Sequence, residues 1–164
     1  MVGKSGVRDS ESKENCYRKN YPSACGCVIL IMLHKQITEQ IIAAAMRVHT
    51  RLGPGLLESV YRECLFFQLV REGLVVEKER AMPIVYEGMK IDHGYRIDLL
   101  VDKEVVVELK AVDDLRQIHY QQVLTYLRFG NFRTGLLINF NVTSLKNGLR
   151  RVSNSRLTQS IEQV

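Results

Sequence analysis

The most specific chemistry in the chain is two carboxylates and a lysine in one short stretch. The segment from Tyr95 to Lys110 reads as two β-rich runs, 95–101 and 105–110, joined by the polar Asp102-Lys103-Glu104. Side chains alternate along a strand, so Glu108 and Lys110 share a face and Leu109 points the other way. If three residues make the turn, Val101 faces Val105 and Asp98 falls opposite Glu108. Directly opposed residues have Cβ atoms about 4.5–5.5 Å apart. Two carboxylates at that spacing repel unless a cation lies between them, and a hard divalent ion such as Mg²⁺ takes oxygen ligands of this kind. The plainer alternative is a solvated, charged strand face with Glu108–Lys110 as an incidental pair. It fits poorly with Val105-Val106-Val107 and Leu109, which mark a buried strand where unpaired charge is costly.

Two helical patterns accompany this segment. In Gly55-Leu-Leu-Glu58-Ser-Val-Tyr61, Glu58 and Tyr61 are three residues apart and share a helix face. Further along, His119, Gln122 and Tyr126 form a polar stripe at i, i+3 and i+7 on an amphipathic helix. Each has a plain alternative. Glu58 could pair with Arg62 at i+4, Tyr126 could belong to the core, and His119 could be a satisfied or exposed imidazole.

Taken together, these residues resemble a family. Gly55-x-x-Glu58-x-x-Tyr61 followed by Asp98 and Glu108-x-Lys110 is similar to the GxxExxY proteins, a group within the PD-(D/E)XK nuclease superfamily. Gln122-x-x-x-Tyr126 resembles the QxxxY motif of RecB-type members. The resemblance covers about residues 34–152, with Ile97 standing where the superfamily name has proline. It implies a restriction-endonuclease-like core and a metal-dependent nuclease acting on DNA, with RNA left open. By this resemblance, Asp98, Glu108 and the Leu109 carbonyl hold Mg²⁺ or Mn²⁺, and Glu58 reaches the ion directly or through water. The ion lowers the pKa of a bound water and neutralises charge on the scissile phosphate. Lys110 orients the water or stabilises the transition state. Gln122, Tyr126 and Tyr61 position the site or the substrate. The four cysteines that hold an iron–sulfur cluster in some RecB-type nucleases are missing, so no such cluster is expected. The competing function is a nuclease-fold module that binds nucleic acid or a partner protein without cutting; both acids and the lysine argue against it.

The elements that must position these residues are legible. Thr38 is placed to cap a helix whose apolar positions Ile41, Ile42, Ala45, Val48 and Leu52 recur at three- and four-residue steps. Gly53-Pro54 stops it. A second helix runs from about Leu56 to Glu72. The period then changes to two: Val75–Val85 reads as a strand broken near Pro83, and Glu87-Gly88 as a turn. After the two runs of the acidic hairpin come a helix over Leu115–Phe129 and a buried strand over Gly135–Phe140. Ser144–Arg151 is a weak last element. The fold class is α/β (α+β): a mixed sheet flanked by helices in the order ααβββαβ.

The composition sets the bounds. The chain has 164 residues, 46% apolar and 25% charged, enough for one domain with a substantial core. No apolar run approaches the roughly 20 residues that span a bilayer, so no membrane partner is expected. The formal charge of +5 is uneven: residues 1–36 hold six of the 23 basic and three of the 18 acidic residues. The rest is nearly balanced and gives little electrostatic grip on DNA. Specificity is therefore expected to need a homo-oligomer or a partner protein.

Of the cysteines at 16, 25, 27 and 64, the Cys25-x-Cys27 spacing does not suit a zinc knuckle. Cys64 reads as a small core residue, and the setting as reducing and cytoplasmic. Residues 1–33 read as a tail, disordered or outside the domain, with Met32 a candidate initiator. The domain is placed at 34–152 and a C-terminal tail at 153–164.

Overall fold

The structure, a computed structural model, describes residues 23–154, with side chains from residue 34 onward except 92–94. The chain divides into two units, Met1–Met32 and Leu33–Val164. Helix α1 spans Ser23–Leu52 and α2 Glu58–Arg71. Strands β1 (Val76–Tyr86), β2 (Met89–Val101) and β3 (Val105–Lys110) follow. Helix α3 (Gln117–Phe129), strand β4 (Thr134–Asn139), the single turn α4 (Leu145–Gly148) and strand β5 (Leu149–Ser153) complete the domain.

The five strands lie in the order β1-β2-β3-β4-β5. Every neighbouring pair is antiparallel except β3–β4, whose crossover carries α3. This is the mixed, helix-flanked sheet that the resemblance implies. One face packs on α1 and α2 through Ile41, Leu65, Leu99, Val107 and Phe140. The other packs on α3 through Leu100, Val106, Val123 and Leu137. β3 is apolar at every position before Lys110 except Glu108, because both of its faces are covered.

The first helix corrects the expectation for the chain's start. It begins at Ser23, so Thr38 lies in its interior. Thr38 does not cap: its hydroxyl donates to the Lys35 carbonyl at 2.8 Å and accepts from Arg151 Nη2 at 2.6 Å. From Ala24 to Thr38 there is no proline and one glycine, Gly26, so nothing forces the helix to start at a capping residue. Residues 1–22 and 155–164 of the expected tails lie outside the described residues. The helix does end where expected, at Leu52 just before Gly53, which sits at φ +68° with its N–H closing on the His49 carbonyl at 2.8 Å. Ser144–Arg151, read as one weak element, is in fact a helical turn running directly into the edge strand β5.

Strands β1 and β2 exchange faces midway along their length. Leu99 and Val101 belong to the core under α1 and α2, whereas Ile97 belongs to the core under α3. Val76 and Met82 divide in the same way on β1. Strict alternation would keep each set on one side. The change falls at Glu79, whose φ of +52° is a left-handed conformation inside a strand, and across from it at Asp98. Such irregularities re-aim side chains.

Candidate active site

The hairpin β2–β3 closes through a three-residue turn. Val101 pairs with Val105, Leu100 with Val106 and Leu99 with Val107. The next step of this register sets Asp98 against Glu108. There the Asp98 side chain takes over, its Oδ2 accepting the Leu109 N–H at 2.9 Å. Both acids are withdrawn from water, Asp98 at 8% and Glu108 at 2% exposure.

Glu108 is the more stressed of the two. Its Oε1 accepts from Lys110 Nζ at 2.6 Å, but its Oε2 is buried with no hydrogen-bond partner. Burial, then the charge of Asp98, pushes its pKa up to about 8, and Lys110 offsets this only in part. A 2.6 Å contact with an ammonium would ordinarily hold a carboxylate low, so here desolvation and the neighbouring acid outweigh the ion pair.

Glu58 opens α2 and reaches the same cluster, its Oε2 3.9 Å from Lys110 Nζ. Its pKa is also raised, first by burial and, after the opposing Lys110 charge, by Asp98. The structure thus brings Glu58, Asp98, Glu108 and Lys110 into one electrostatic cluster. The alternative pairing of Glu58 with Arg62 is not the one adopted. Arg62 instead reaches the sheet, where its Nη1 donates to Asp98 Oδ1 at 3.1 Å and its Nη2 lies 3.4 Å from Glu79 Oε1.

Tyr61 does not face the cluster as a substrate-positioning residue would. It is fully buried, stacked on Phe140 at 4.5 Å between ring centroids. Its hydroxyl donates to the Gly53 carbonyl at 2.6 Å and accepts the Leu56 N–H at 3.1 Å. Tyr61 therefore ties down the loop that leads into Glu58.

Gln122 and Tyr126 form a relay on α3. Gln122 Nε2 donates to the Tyr126 hydroxyl at 2.8 Å, which donates to the Arg96 carbonyl at 3.0 Å, two residues before Asp98. The Tyr126 hydroxyl is held protonated by burial first and by the Glu108 charge second. His119 is engaged at the start of the helix, where its Nδ1 accepts the Arg116 N–H at 3.0 Å.

A family model of the PD-(D/E)XK nuclease superfamily matches residues 35–152. The chain belongs to this superfamily. No curated protein and no solved structure matches it. The nuclease-superfamily domain contains every element that carries the cluster, and the superfamily supports a nuclease-type function. Among the described residues no helix is long and apolar enough to cross a membrane.

Whether the cluster suits a divalent ion can be judged from its donors. Among the described residues no group of three His, Cys, Asp or Glu side chains forms a metal cage. Mg²⁺ does not need one, since it is usually held by one or two carboxylates, with waters and substrate phosphates completing its shell. The partnerless buried oxygen of Glu108 and the unfavourable pairing of its charge with that of Asp98 are both relieved by a bound cation. The donor set fits a hard divalent ion.

Sequence reasoning missed Arg62 as a partner of Asp98, and Glu79 altogether. Arg62 carried a signal, being one turn beyond Glu58 on the same helix face. Glu79 carried none, because its approach depends on the left-handed residue that turns the strand over.

Proposed function

We propose that this superfamily member is a metal-dependent nuclease that hydrolyses phosphodiester bonds in DNA. The observation that carries the reading is the buried Glu108, bonded through one oxygen to Lys110 and unpartnered at the other, beside a second buried acid. Burying two acids this way is unfavourable for folding alone and serves a site that takes a cation.

In this reading Asp98, Glu108 and the Leu109 carbonyl hold Mg²⁺ or Mn²⁺, with Glu58 contributing directly or through water. The ion supplies Lewis acidity toward the phosphate and an activated water. Lys110, held by Glu108 and close to Glu58, places an ammonium where negative charge develops on the phosphate. Gln122, half-buried and donating to the Tyr126 hydroxyl, positions the nucleic-acid backbone, while Tyr126 fixes the strand leading to Asp98. The GxxExxY and QxxxY resemblances support the same assignment of Glu58, Gln122 and Tyr126. Specificity comes from self-association or a partner protein, because the balanced domain attracts DNA only weakly.

The test is incubation of the purified chain with linear, nicked and branched DNA and with RNA, with Mg²⁺, with Mn²⁺ and with chelator. Ion-dependent cleavage of at least one DNA substrate is expected. Binding without cleavage under all conditions would replace the enzyme with a nucleic-acid-binding module.

A further inference from the structure

Arg62 faces two acids at once. One terminal nitrogen bonds Asp98, the other lies against Glu79, and only 18% of the side chain is exposed. Its Nε is buried without a partner. A guanidinium bound for purely structural reasons in so enclosed a place would have its donors satisfied. Glu79 adopts a backbone conformation rare for a glutamate, and its Oε1 lies between Arg62 Nη2 at 3.4 Å and the more exposed Arg96 Nη1 at 3.7 Å.

We infer that Arg62 is a resident counter-cation of Asp98 that competes with the divalent ion for this carboxylate and shifts onto Glu79 when the ion binds. The inference rests on the metal-dependent reading above. Without an ion, Asp98 and Glu108 are neighbouring buried acids, and Lys110 is already committed to Glu108. Arg62 supplies the missing positive charge. A guanidinium and a dication on the same carboxylate repel strongly in such a poorly solvated place. Glu79 gives Arg62 an alternative partner on its opposite nitrogen, so the guanidinium can release Asp98 without losing every acid.

The two neighbours therefore influence ion affinity in opposite directions. Arg62→Met removes the competitor and tightens binding. Glu79→Gln removes the alternative partner, strengthens the hold of Arg62 on Asp98 and weakens binding. A merely structural role for the Glu79–Arg62–Asp98 chain would make both substitutions weaken it.

The experiment is calorimetric titration of the full metal-free chain with Mn²⁺, alongside thermal melts in chelator. Expected are binding tighter by about tenfold or more for Arg62→Met and weaker by about threefold or more for Glu79→Gln. The Arg62→Met melt in chelator should fall, because Asp98 loses its cation. Unchanged or weaker binding by Arg62→Met, or tighter binding by Glu79→Gln, overturns the inference while leaving the nuclease reading in place. If Arg62→Met does not fold, the half-exposed Glu79→Gln decides by its sign. Absence of Mn²⁺ binding by the wild type removes the metal-dependent reading and this inference together.

Discussion

Lys110 Nζ lies 2.6 Å from Glu108 Oε1, while the other oxygen of the same carboxylate is buried and unpartnered. The lysine thus neutralises half of a problem that the fold creates. Glu108 keeps a pKa near 8 in spite of it, because burial and Asp98 prevail.

That shift makes the metal-free protein sensitive to alkali. Glu108 titrates near 4.5 when unfolded and near 8 when folded, so between these values the folded state holds the extra proton. Stability must then fall as pH rises through this window, by at most about 1.4 kcal/mol per pH unit, and level off above it. Glu58, also raised, adds in the same direction. Urea unfolding in chelator from pH 5 to 9 should show the decline, and Glu108→Gln should flatten it.

Substituting the lysine should act oppositely on stability. Lys110→Ala leaves Glu108 without its hydrogen-bonded cation and should cost about 3 kcal/mol at pH 8, near the value at which the wild-type acid is half ionised. Glu108→Gln removes the repulsion with Asp98 and should leave the metal-free melting temperature unchanged or higher. Melts of the two variants at pH 8 check the divergence.

Tyr61 should prove to be a structural residue. Tyr61→Phe keeps the stacking on Phe140 but frees the Gly53 carbonyl and the Leu56 N–H. A stability loss of about 1–2 kcal/mol is expected, with cleavage falling far less than for Glu108→Gln. Denaturant unfolding and a cleavage assay on the same preparation separate the two effects.

The close approach of α3 to β4 supplies a further test. A Cβ at Gly135 would lie 2.7 Å from Val123 Cγ1 on α3. Gly135→Ala should destabilise by about 1–3 kcal/mol, read from chemical unfolding, because the helix must move away from the sheet.

Much of this was legible from the residues. Alternation along 95–110 and a three-residue turn suffice to set Asp98 against Glu108, because the information is local and the period of a strand is two. The helix ends at Gly53 and the turn at Glu87-Gly88 follow from backbone chemistry that those residues announce. The pairing of Arg62 with Asp98 was not legible, since it joins residues 36 positions apart and competes with a closer acid at Glu58. The reversal of faces at Glu79 was hidden as well, because a glutamate gives no warning of a positive φ. Tyr61 shared a helix face with Glu58, as its spacing required, yet spacing could not show that its hydroxyl is consumed by the preceding loop.

The Gln122–Tyr126 relay gives one more expected outcome. Gln122→Ala should leave stability within about 0.5 kcal/mol, since Gln122 is only half-buried, but raise KM for DNA. Tyr126→Phe should instead destabilise by about 1 kcal/mol by leaving the Arg96 carbonyl unpaired.

In the proposed reaction the Asp98–Glu108–Lys110 cluster cuts phosphodiester bonds with a divalent ion. The most direct test is single-turnover cleavage of end-labelled DNA in Mg²⁺ by wild type, Glu108→Gln and Lys110→Ala, each first shown to be folded. The wild type should cut, and both variants should be slower by about a hundredfold or more. Equal cleavage by all three, or none by the wild type in either Mg²⁺ or Mn²⁺, would contradict the account.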